Sequence, residues 1–228
     1  MGRHSTAKEV EQNHLDALGD DLGSLYHGLW NEVAQLYSKW DEYVELFGTK
    51  PSRIKLLNDA APLFFRTVQD SLWESMLLHI SRLTDPPKSC GKANLSIQRI
   101  LPLVSNELKG TISEQINNAI SKTDFCRDWR NRKIAHKDLR LALKRQAEPL
   151  KPASRAKIKD ALGSIATVLN TVSEHYMDAT IEFNVIKGSC GAESLLYVLD
   201  DGLRANAELQ KRIETRTYTP EDLTHRNL

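Results

Sequence analysis

The chain has 228 residues, 40% of them hydrophobic and 27% charged, with 31 Lys and Arg set against 30 Asp and Glu. That length can bury a core of ordinary size, and a net charge of +1 excludes a global polycation, so a nucleic-acid partner has to be met by local clustering. Cys90, Cys126 and Cys190 are odd in number and widely spaced, which fits neither a disulfide framework nor a Cys-x-x-Cys metal knuckle. A reducing cytoplasm is the expected compartment. The start lacks an apolar leader, and no stretch approaches the roughly 18 apolar residues of a membrane span, so no membrane partner is expected.

Residues 9 to 47 carry Leu15, Leu18, Leu22, Leu25, Leu29, Val33, Leu36 and Tyr37 at spacings of three and four, which predicts helix up to the break at Gly48 and Pro51. A second stripe, Phe65, Val68, Leu72, Met76, Ile80 and Leu83, opens near Asp59 and Pro62 and stops at Asp85, Pro86 and Pro87. Asp85 stands before a proline, where helical backbone is disfavoured, so its first reading is a helix stop. The alternative is that Asp85 or Arg82 reaches forward to a site. After the polar loop KSCGKA, NLSIQRILPLV reads as a shorter helical piece, and Thr111 with Glu114 as a capping box. Thr123 or Asp124 suits a further cap. Residues 124 to 145 read as helix along Phe125, Trp129, Leu139 and Leu143, closed by Pro149 and Pro152. The stripe Ile158, Leu162, Ile165, Leu169, Val172 and Tyr176 predicts a long helix, and NVIKGSCGA separates it from Leu195, Leu196, Leu199 and Leu203. No period-2 segment of useful length occurs. The expectation is an all-α bundle of about five to seven helices, a single domain over residues 1 to 215 with a polar tail from 216 to 228.

Several constellations are weak. Gly188 and Gly191 lack the strand and the Lys-Ser/Thr ending of a phosphate loop and read as a helix cap. His4, His14, His27, His79, His175 and His225 stand without a second ligand at metal spacing, so neither a metal nor another cofactor is expected. Between Lys122 and Arg145, by contrast, nine Lys and Arg face only Asp124, Asp128 and Asp138. Within that run Arg130, Asn131 and His136 combine a charged fork, an amide and an imidazole. A guanidinium stabilises charge on phosphate oxygens, and an imidazole moves protons near neutral pH. RNA carries its own nucleophile, the 2′-hydroxyl, so such a set suits metal-free cleavage. The plain alternative is a solvated basic helix face. On a regular helix Arg130 and His136 lie about 120° and about 9 Å apart, so one straight helix does not aim both at one phosphate. A two-fold axis, or a bend at the motif, would.

RNRKIAH resembles the Arg-polar-x4-His signature of the HEPN superfamily, helical domains many of which are metal-independent RNases. HISRLTDPP, residues 79 to 87, followed by NLSIQRILP, resembles the abortive-infection AbiU-like branch. The resemblance covers residues 54 to 145. It implies a HEPN-like bundle that dimerises across the motif helices and cleaves RNA to a 2′,3′-cyclic phosphate. Arg130 and His136 are then catalytic, with Asn131 orienting groups beside them. It also implies a bacterial defence setting, as a toxin or abortive-infection effector with an antitoxin or regulatory partner. Arg127, Arg132, Lys133, Lys137 and Arg140 are the candidates, by charge, for holding the RNA backbone. Superfamily members that only bind also exist, so a non-catalytic RNA-binding or interaction module is the alternative, and a structural assembly protein the third reading.

Overall fold

The computed structural model describes residues 6–89, 91–185 and 190–224; His4, Cys90, Gly188 and His225 lie outside them. The helices are α1 (Ala7–Leu18), α2 (Asp20–Phe47), α3 (Pro51–Ala60), α4 (Pro62–Leu83), α5 (Lys109–Lys122), α6 (Asp124–Trp129), α7 (Leu139–Ala142), α8 (Arg155–Met177) and α9 (Ala192–Glu214). The KSCGKA loop folds into a two-residue antiparallel ladder, Lys88–Ser89 against Lys92–Ala93, around Gly91 at φ +80°. The fold is all-α. The expected 1–215 domain comprises two compact units, residues 1–40 with 72–186, and residues 41–71 with 187–228.

In the first unit the stripes read from spacing are buried: Leu29, Val33 and Leu36 on α2, Met76, Ile80 and Leu83 on α4, and Ile158 through Val172 on α8. Ile112, Ile116 and Ala119 of α5 pack against α8. The single helix expected over residues 9 to 47 is two. Gly19 takes φ +78°, a conformation open to glycine, and ends α1. The chain then reverses so closely that a Cβ at Gly23 would stand 2.7 Å from the His14 carbonyl oxygen. This turn brings together two histidines that the sequence reading kept apart, His14 Nδ1 and His27 Nδ1 at 3.1 Å. His79 likewise has Glu32 at 2.7 Å, and His175 has Glu107 at 3.1 Å.

α5 begins at Lys109, so Thr111 lies inside its first turn and the expected capping box is absent. Thr123 joins α5 to α6 as the C-cap of α5, and its side chain makes no cap bond to α6. Its buried hydroxyl donates to the Ala119 carbonyl.

In the second unit Leu46, Leu57, Phe65, Ala192 and Leu196 form the core, with Val68 and Leu199 against it. Gly191 is the N-cap of α9, as a cap reading of its loop requires. The Glu42 carboxylate accepts from the Ala192 amide at 2.6 Å and would collide with any side chain at Gly191. After α9 the polar segment turns at Pro220–Leu223, and Asp222 is held by the Arg212 guanidinium at 2.6 and 3.1 Å.

Candidate functional site

The turn after α4 is the platform of the site. Its residues, Thr84 to Pro87, present four carbonyls past the end of the helix, which need donors. The NLSIQR segment supplies them. Gln98 Nε2 donates to Thr84 O at 2.9 Å, the Ser96 hydroxyl to Asp85 O, Asn94 Nδ2 to Pro86 O at 2.8 Å, and Arg99 to Pro87 O at 3.1 Å. Thr84 is fully buried, and its hydroxyl lies 3.1 Å from Thr123 Oγ1, which ties the turn to the start of α6. The Asp85 carboxylate is thereby fixed, facing the basic run.

That run is not the helix expected over residues 124 to 145. α6 stops at Trp129, and Arg130–Ile134 forms a π-helical turn closed by the Ala135 amide on the Arg130 carbonyl at 2.9 Å. Asp138 caps the short α7, its carboxylate accepting from Leu141 N at 2.9 Å. Positive φ at Lys144 and Gln146 ends all helix there. The widened turn replaces regular α-helix between Arg130 and His136, so the 120° separation of a straight helix does not hold there. No hydrogen bond joins the two among the described residues.

Arg130 Nη1 donates to both Asp85 oxygens, at 2.8 and 2.6 Å, and its Nε to the Asn131 side-chain oxygen at 3.0 Å. Asp85 therefore reaches the motif, the alternative to its reading as a plain stop, while Arg82 points outward as an exposed side chain. Arg127 shares this anchor, donating to Thr84 O at 3.2 Å with Asp85 Oδ1 at 3.7 Å. His136, just past the π turn, is exposed.

The remaining basic residues divide. Arg132 is enclosed by the chain: it donates to Asp128 at 3.3 Å and to the Glu148 and Pro149 carbonyls, with Asp138 at 4.0 Å. The Pro-rich segment it holds is pinned again by Lys151, whose amide donates to Asp128 at 2.8 Å and whose carbonyl accepts from Trp129 Nε1 at 2.8 Å. Lys133 lies 4.5 Å over the Trp129 ring and 3.8 Å from Glu74. Lys137 and Arg140 are exposed. Cys126 is buried, and burial pushes its thiol up to about 12, so it offers no thiolate near neutral pH.

Phe125 is buried and Trp129 half-buried within the chain itself, so neither needs a second chain to cover it. The exposed apolar pair there is Leu139, 70% accessible, and Leu143, 50%. Among the described residues no three His, Cys, Asp or Glu side chains gather as a metal site, and no helix is long and apolar enough to cross a membrane.

No curated protein and no solved structure matches the chain. The family model AbiU2, of the HEPN superfamily, matches residues 19–189, a span that takes in the anchoring turn, the π turn and His136. The chain belongs to the AbiU2 family of HEPN proteins.

Proposed function

We propose that the protein is a metal-independent endoribonuclease that works as a homodimer in abortive-infection defence. Membership of the family implies the abortive-infection setting; the chemistry is argued from the site. The observation that carries it is a guanidinium locked between Asp85 and Asn131 on a rigid turn, with an exposed imidazole just beyond it. Preorganised charge of this kind stabilises a transition state without reorganising during the reaction.

In the proposed step the 2′-oxygen attacks its own 3′-phosphorus, the phosphorus–5′-oxygen bond breaks, and a 2′,3′-cyclic phosphate and a 5′-hydroxyl result. His136 takes the 2′-hydroxyl proton or gives one to the leaving oxygen. Arg130 balances charge on the nonbridging oxygens, and Asn131 orients its Nε. Asp85 is a positioning residue, acting through Arg130. Lys133, Lys137 and Arg140 hold flanking phosphates, whereas Arg127 and Arg132 act mainly as struts, each already engaged by two or more protein groups. A second copy placed across Leu139 and Leu143 brings the His136 of one chain toward the Arg130 of the other, and isologous pairing is the commonest way to cover such a face.

The test is purified protein with total RNA in EDTA, followed by end analysis. Fragments ending in 2′,3′-cyclic phosphate and starting in 5′-hydroxyl are expected. Salt-sensitive binding without new ends would instead establish the non-catalytic module.

A further inference from the structure

Beside the motif lies a groove of about 730 Å³ that the cleavage chemistry leaves unused. Its floor is apolar, formed by Ile134, Leu141 and Leu150, all half-buried. Its rim is charged. Lys133, in the π turn, and Lys137, in the irregular stretch after it, both line it, as does Glu74 of α4, which lies 3.8 Å from Lys133. We propose that this groove seats the RNA base next to the scissile phosphate and that Glu74 selects guanine there; the assignment rests on the reading of RNA as substrate.

An apolar lining takes the face of an unstacked base, and sequence in single-stranded RNA is read on the exposed base edges. A carboxylate only accepts hydrogen bonds. Guanine offers two adjacent N–H donors on its Watson–Crick edge, at N1 and N2, which match the two carboxylate oxygens. Adenine and cytosine offer one amino group beside an acceptor nitrogen, and uracil one N–H between two carbonyls, so each sets an acceptor against Glu74. The present partner of Glu74 gives way at little cost, since the Lys133 pair is long and both side chains are more than a third exposed. Lys133, released, turns to a phosphate. Lys137 directly follows His136 in the chain, so the phosphate it meets is at or beside the one the imidazole serves.

Binding of short RNAs tests this apart from cleavage. The probes are tetranucleotides with G, A, C, U or inosine at the position in question and hydrogen in place of the 2′-hydroxyl at the cleaved position. The full-length protein is expected to prefer G over A, C and U by about ten- to a hundredfold. Inosine, which lacks the 2-amino group, should fall between, and Glu74→Gln should level the series. Equal affinity for the four bases, or a guanine preference that survives in Glu74→Gln, overturns the assignment even if the protein cleaves RNA. A guanine preference abolished by Glu74→Gln upholds it even if the unmodified RNAs remain whole, in which case it is the nuclease reading that falls.

Discussion

Asp85 does two jobs at one position. It ends α4 before Pro86, and both its carboxylate oxygens accept from the one Arg130 Nη1. Asp85→Asn keeps the shape and one acceptor oxygen but loses the charge, which weakens a charged contact worth about 1.5–3 kcal/mol and frees Arg130, so cleavage should fall at least about tenfold while the protein stays folded. Restoration by Asp85→Glu, or a lower kcat at unchanged KM, marks a positioning role; equal loss of stability and activity in both variants would reduce Asp85 to a strut. The basic residues permit a sharper division. Lys137→Ala or Arg140→Ala should weaken RNA binding and lower its salt slope by about one phosphate contact. Arg132→Ala should leave the slope alone and lower the unfolding midpoint, because its guanidinium holds the Glu148 and Pro149 carbonyls. A salt slope that responds to Arg132 and not to Lys137 would reverse this assignment.

At the scale of the element, spacing made the long helices legible, because a buried stripe at three- and four-residue intervals leaves few alternatives. Breaks were legible only where proline marked them. Gly19 ended α1 without any interruption in the apolar stripe, and the π turn at Arg130–Ile134 has neither Gly nor Pro to announce it. The motif residues themselves were readable from type and order. Their geometry was not, since it depends on a carboxylate 45 positions away in the chain. Glu74 was invisible for the same reason: nothing in its neighbourhood on α4 shows that Lys133 lies across from it. The α1–α2 junction also sets a pH dependence. His14 is buried, and burial first, then His27, holds its pKa below the ordinary 6.5; burial, with Lys39 and Arg82, pushes His79 to about 4. The unfolded chain therefore binds protons near pH 6.5 that the folded chain refuses, and stability is full above 6.5 and declines as pH falls toward 4. Denaturant midpoints should drop between pH 7.5 and pH 5, less so in His14→Phe. A flat profile would place both histidines outside the linkage, and a decline unmoved by that substitution would place His14 outside it. Gly23→Ala should destabilise by about 1–3 kcal/mol through overpacking against the His14 backbone.

At the scale of the whole molecule, the proposed active site is shared by two chains. Leu139 and Leu143 are exposed apolar residues beside the motif. Charge placed there, as in Leu139→Glu with Leu143→Glu, should convert a dimer seen by sedimentation at micromolar concentration into monomer and remove cleavage with it. An active monomer would contradict the shared site. The most direct measurement is cleavage of one defined RNA in EDTA by the wild-type protein and by His136→Ala, purified side by side, with the fragment ends identified. The account predicts 2′,3′-cyclic phosphate ends from the wild type and a loss of about 10²–10⁴-fold in His136→Ala, with RNA affinity nearly unchanged. Equal yields of the same fragments from both proteins would contradict it.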